Sequence, residues 1–249
     1  MIHSTAIISP EAKLGNNIEI GPFTIIHPNV IIGANSIIES HCEIGLPTPL
    51  SDGSPLVIGE NSHIRSHSEF YEGSCFGPEL ITGHRVTVRE KTQAGLNLKI
   101  GTLTDIQGTC RIGDYVRAHS NVHVGQATEI GNFVWIFPYV VFTNDPHPPS
   151  DVRIGANVGD FSAIGTMSVI LPGVTIGEHS LVGANSRVAR DVESYSVVSG
   201  NPAKYVCNVS EILLRDGSGR QAYPWPTHFR RGYPLHIQEE WDQIYHPKS

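Results

Sequence analysis

Charge is scarce in this 249-residue chain: Asp, Glu, Lys and Arg make up 16% of it, and the 17 basic against 24 acidic residues leave a net charge of −7. An acidic balance argues against nucleic acid or an anionic membrane as the main partner. Cysteine is scarce too. Cys42, Cys75, Cys110 and Cys207 are widely scattered and form no CxxC pair, which suits reduced thiols in the cytoplasm. No long apolar run is present, so no membrane span is expected. Met1-Ile2-His3-Ser4 carries no basic segment followed by an apolar one, so no signal peptide is expected either. What is abundant is turn-forming residues, with 25 Gly and 17 Pro. Both disfavour helix interiors and argue against a helical bundle. The 39% hydrophobic content, rich in Ile and Val, argues against a disordered chain. The length allows one large domain or two small ones.

A six-residue period organises most of the chain. From Ile58, every sixth residue through Ile64, Phe70 and onward to Phe142 gives fifteen positions, and only Thr82 among them is not apolar. Eight earlier positions run from Ile2 to Ile44, and six later ones from Val158 to Val188. The next residue is often Gly, and the fourth after each is usually small or β-branched, as in Ser62, Ser68, Thr92 and Cys110. A period of six cannot follow a helix at 3.6 residues per turn. It predicts an all-β solenoid in which three short strands and three tight turns close one triangular coil of eighteen residues. The aliphatic residue points inward, the small residue fills the corner, and the Gly is expected to relieve the turn. With coils about 4.8 Å apart, about ten of them give a prism on the order of 45 Å long.

The register breaks twice, across 46–55 and across 143–153, and such insertions leave the prism as external loops where function gathers. The second holds Asn144, Asp145 and His147 among three prolines. The repeat fades near Val192. Residues 1–200 therefore form the β-helical domain and 201–249 a C-terminal extension, with a short helix expected over Val209–Arg215 and an aromatic, Pro-rich tail. That helix could cap the open end of the prism. The tail is expected to pack on the prism or on a neighbouring subunit.

The hexapeptide pattern resembles the left-handed parallel β-helix of the hexapeptide-repeat acyltransferase family, and the handedness comes from that resemblance. The stretch Ile154–Gly177 resembles that family's acetyl-CoA-binding coils, and Gly200-Asn-Pro-Ala-Lys204 the segment that follows them. Val140-Val-Phe-Thr-Asn-Asp145 resembles the same stretch in nucleotide-sugar N-acetyltransferases of surface-polysaccharide biosynthesis, such as that of lipopolysaccharide O-antigen. Where those enzymes continue with Pro-Arg, this chain has Pro146-His-Pro-Pro149. The resemblance implies a cytoplasmic homotrimer that uses acetyl-CoA as donor and needs no metal. Its acceptor would be the amino group of a nucleotide-linked amino sugar, attacking the thioester directly. It also implies Ala163 and Gly165 along the pantetheine arm, Arg187, Arg190 and Lys204 near the CoA phosphates, and Asn144 and Asp145 at the acceptor.

An attacking amine must lose a proton, and His is the natural base near neutral pH. Four of the thirteen His are candidates. His84, His119 and His123 fall in repeats two coils apart on one face of the prism, and His147 sits in the second loop. Three alternatives stay open. One is a sugar O-acetyltransferase, or a transferase acting on another small amine. Another is a metalloenzyme resembling the trimeric β-helix carbonic anhydrases, in which His84, His119 and His123 would bind zinc. The last is a purely structural β-helix.

Overall fold

The computed structural model describes residues 1–245. It is a parallel left-handed β-helix of about eleven turns with one short α-helix near its C-terminus. Strands of two to five residues fall into three walls of ten, nine and eleven strands. The first wall starts with Ile7–Ile8, the second with Lys13–Leu14 and the third with Glu19–Ile20, and successive coils pair in parallel at an eighteen-residue offset.

The hexad positions are the core. From Ile20 to Val188 nearly every one is buried, in a single continuous column of Ile, Val and Phe. Thr82 is as buried as its neighbours, because its hydroxyl accepts the backbone N–H of Arg65 at 2.9 Å. The small residues four places later are buried as well, and their hydroxyls link coils. Ser74 Oγ donates to the Arg89 carbonyl at 2.9 Å and accepts the Thr92 N–H at 3.0 Å. A hydroxyl therefore suits the corner for two reasons: it is small, and it satisfies backbone groups that the turn leaves over.

The glycines have a different role from the one expected. The left-handed turn conformation falls two residues after each Gly, on Asn61, Tyr115, Phe133 or Met167, with φ between 56° and 61°. The repeat glycines themselves stay out of that region, except Gly45 at the edge of the first insertion. A Cβ on Gly33 would lie 2.3 Å from the Glu60 nitrogen of the next coil, and one on Gly101 would lie 2.3 Å from that of Ser120. Glycine is required there by the close approach of stacked coils, not by backbone conformation.

The C-terminal extension also departs from expectation. Only a single 3-10 turn, Val209–Glu211, forms within the segment read as a helix; the α-helix is Leu235–Tyr245, inside the aromatic tail. Nor does a helix close the end of the prism. The strand Lys204–Asn208 does so, pairing antiparallel with Ser196–Ser199 on the third wall. The tail packs on the side of the prism. At the corner between second and third walls, Tyr115, Phe133, Phe161, His179 and Tyr195 stack with ring centroids 4.8–5.1 Å apart. Trp225, Tyr233, Ile237 and Trp241 lie buried against that ladder.

Candidate active site

Both insertions leave from the same corner. The first follows Glu43–Leu46 and the second follows Val141–Phe142; both strands belong to the first wall, and the chain re-enters the second wall after each. Three of the four coils between them form the floor of a polar cleft of about 530 Å³. Leu50 of the first loop bounds one end, and Asn144, Asp145 and Arg153 of the second bound the other. Between them the floor presents His123, Gln107, Thr109 and Gln126, with Arg89, Glu90 and Lys91 beside the first loop.

His123 opens its strand on the first wall, directly above Asp105 of the preceding coil. Its Nδ1 lies 3.1 Å from Asp105 Oδ2, and Gln107 Nε2 donates to that same oxygen at 2.6 Å. Burial works to raise the Asp105 pKa, but the hydrogen bonds from His123 and Gln107 and the charges of His123 and Arg89 outweigh it and hold it below the usual carboxylate value. An ionised carboxylate only accepts hydrogen bonds, so Nδ1 donates to it, and in the neutral ring Nε2 holds the lone pair. That is the arrangement of an oriented general base.

The rest of the cleft is charged and tied down. The Glu90 side chain is almost fully buried, accepts from Thr48 of the first loop, and pairs with Arg89 Nε at 3.1 Å. Burial pushes its pKa up, but these partners bring it below the ordinary value. Lys91 reaches Asp52 at 3.6 Å, which also pins the loop. In the second loop, Asp145 accepts from the Ser150 hydroxyl at 2.6 Å and from the backbone of Ser150 and His147. The Ser150 hydroxyl bond is the largest influence lowering its pKa. Arg153 lies 3.9 Å from the same carboxylate.

The structure separates the four candidate histidines. His123 lines the cleft together with Asn144 and Asp145; His84, His119 and His147 do not. The expectation that His84, His119 and His123 share one wall fails, because the turn between third and first walls divides them. His84 Nδ1 meets Ser66 Oγ at 2.9 Å on that corner. His119 faces the third wall, stacked on Phe137 at 5.0 Å, and burial lowers its pKa. His147 is exposed at the loop tip. Among the described residues, no three His, Cys, Asp or Glu side chains converge to hold a metal.

The candidate donor residues also divide. Arg190 and Lys204 line one cavity of about 520 Å³ at the end of the prism, and Arg187 Nε donates to Asn201 nearby at 2.8 Å. Ala163 lies elsewhere, under the aromatic tail, with Gly165 packed against Ala184 of the next coil. Asp105, Gln107, Arg89, Lys91 and Arg153 were missed by the sequence reading. The available signal was spacing: Asp105 and His123 are eighteen residues apart, and both insertions interrupt the same one of the three repeats in a coil.

The family model "Bacterial transferase hexapeptide (six repeats)" matches residues 1–45 and 155–190. An acyl-[acyl-carrier-protein]–UDP-N-acetylglucosamine O-acyltransferase of Saccharophagus degradans is 37% identical over 139 residues, 53% of this chain and 48% of that protein. Its counterpart in Burkholderia orbicola is 32% identical over 203 residues, 82% of this chain and 71% of that protein. The chain spans about half or less of the length of the first curated relatives it matches. Among solved structures, an Arabidopsis UDP-N-acetylglucosamine acyltransferase superposes with a TM-score of 0.70 at 17% identity, over 84% of this chain and 74% of that one. At that identity the likeness concerns the fold. Among the described residues, no helix is long and apolar enough to cross a membrane.

Proposed function

The chain belongs to the hexapeptide-repeat acyltransferases, and from that premise we propose that it transfers an acyl group from a thioester donor to a nucleotide-linked sugar in the cleft between its two loops. The observation that carries this reading is His123 held by Asp105 at 3.1 Å. His123 Nε2 takes the proton from the acceptor as its nucleophilic atom attacks the thioester carbonyl. The tetrahedral oxyanion collapses, the carbon–sulfur bond breaks, and the imidazolium returns the proton to the departing thiolate. Arg89, Lys91 and Arg153 supply the positive charge that a sugar nucleotide's phosphates require.

An oriented base matters most for a hydroxyl, which stays protonated at neutral pH, and the two relatives described above are named as O-acyltransferases. Hydroxyl acylation is therefore the first reading. N-acetylation of an amino sugar is the second, favoured by Asp145, whose ionised carboxylate borders the cleft and can hold an ammonium group. Acetyl-CoA is the simplest donor, and the cavity that Arg190 and Lys204 share supports the reading that they meet its phosphates. The reaction is assigned to the cytoplasm and to a homotrimer.

Thiol release from acetyl-CoA and longer acyl thioesters, measured with paired amino and hydroxyl sugar nucleotides, tests the reading directly. One acceptor of a pair should turn over and its twin should not. Replacing His123 by Ala should lower kcat by about a hundredfold to ten-thousandfold while KM changes little. Full kcat in that variant sinks the assignment of the base.

A further inference from the structure

The C-terminal tail creates a second hollow on the third wall, away from the cleft at the corner between first and second walls. Its floor is the third wall, with Trp135, Phe137 and Ala163; its roof is Tyr223, Trp225 and Phe229 of the tail. Its volume is about 330 Å³, roughly twice the ~150 Å³ cavity that accommodates a benzene ring. His228 and Arg231 line it as well, and among the described residues no acidic one does.

Three features define what fits. The walls are apolar, so an occupant gains by burying hydrocarbon. The indole and imidazole nitrogens are already engaged: Trp135 Nε1 donates to Tyr233 Oη at 3.0 Å, Trp225 Nε1 to the Phe161 carbonyl at 2.9 Å, and His228 Nε2 lies 2.8 Å from the Ala222 carbonyl. The rings of Trp135, Trp225 and Phe229 meet at 67° to 85°, so they offer no parallel pair of faces to sandwich a flat base. Phe137 lies at 29° to Trp135 on the floor, so the crossed rings close round a flexible chain and leave a flat ring only one face to stack on. The charge lining the hollow is positive, with the Arg231 guanidinium 5.9 Å from the Phe229 ring centre.

We propose that this hollow binds a medium-length straight hydrocarbon chain attached to an anionic group. Its use as the acyl-chain site of a donor rests on the acyltransferase reading; the binding itself does not. The position of Ala163 makes the space possible. The wall residues paired with it on adjacent coils are Trp135 and Leu181, both large, and the small side chain between them leaves the hollow open.

Two of the chain's three tryptophans line the hollow, so the experiment is tryptophan emission and calorimetry on the intact chain, with no acceptor present. Decanoate and decanoyl-CoA, below micelle-forming concentrations, are compared with acetyl-CoA. A saturable emission change with either decanoyl probe, absent with acetyl-CoA, is expected. A response to decanoyl-CoA alone assigns the chain to the donor, and a response to decanoate as well assigns the site to the free acid. Ala163→Leu reproduces the residue of the next coil and should weaken binding about tenfold or more by filling the space. Arg231→Ala, an exposed change, should weaken it severalfold and leave the melting temperature alone. No response to either decanoyl probe, or undiminished binding in both variants, overturns the proposal. His123→Ala should bind the chain normally, so failure here and failure of the transfer reading are distinguishable.

Discussion

His119 and His179 are the two histidines whose pKa the fold lowers, and burial is the first cause for both. His179 sits in the ring ladder between Phe161 and Tyr195, with centroids 4.8 and 5.0 Å away, and the neighbouring Glu178 and Asp160 only partly oppose its desolvation. In the unfolded chain both imidazoles take up a proton near pH 6.5, while in the folded chain they do so at lower pH. Below 6.5 the unfolded state thus binds more protons, so stability is greatest above that value and falls as the pH drops towards the folded pKa values. The melting temperature should fall between pH 7.5 and 5.5. His179→Phe, which repeats the residue found one coil earlier, should keep the stack and reduce that fall. An unchanged acid loss in the variant would contradict this assignment. At this scale the inward residues were legible in the sequence, because a six-residue period with three strands per coil leaves them one direction to point. The outward ones were not. His84, His119 and His123 occupy different positions within their repeats, and a shift of a few residues around a corner sends them to different walls.

Among elements, the strands were predictable and the C-terminal extension was not. A two-residue strand in a coil needs only its hexad aliphatic, its corner residue and room for the next coil, and all three are written in the repeat. The helix Leu235–Tyr245 has no such internal signature. It forms because Ile237 and Trp241 find the ladder of Phe133 and Phe161 on the prism, a tertiary cause that local sequence does not show. Trp241 is 2% exposed and meets Tyr233, Phe133 and Trp225 at 4.8 to 5.4 Å. Trp241→Ala should cost about 3–5 kcal/mol of tail attachment. Limited proteolysis should then cut within 215–235 while the β-helix stays resistant; an uncut tail would show that the helix is held by other contacts. The two loops give the opposite lesson. Both were visible as breaks in register, and counting which of the three repeats each break follows would have placed them at one corner and located the cleft.

The whole prism presents three corners, and they differ. The corner between second and third walls carries the ring ladder and is covered in part by the tail. The corner between first and second walls carries both loops and the cleft. The corner between third and first walls is left with apolar side chains in solvent: Phe23, Leu103, Tyr139 and Met167 are each 51–59% exposed, all in the left-handed turn position that projects outward. His41, His67, Arg85 and Asn121 hold the same turn position between them, so the corner mixes apolar and polar side chains, and exposed apolar residues recurring along one edge suit a surface covered by another chain. Three-fold closure of identical prisms would bury the same corner on each copy without leaving an open end. That geometry is consistent with the homotrimer proposed above, and for a trimer light scattering should give three times the mass of one chain. Leu103→Glu combined with Met167→Glu places two like charges in that column and should release single chains, because the charges lose their hydration if the seam closes. The β-helix should stay folded in the variant, since neither side chain belongs to its core, and circular dichroism checks this. A wild-type chain that runs as a single copy, or a double variant that remains three-fold, would remove this corner as the contact.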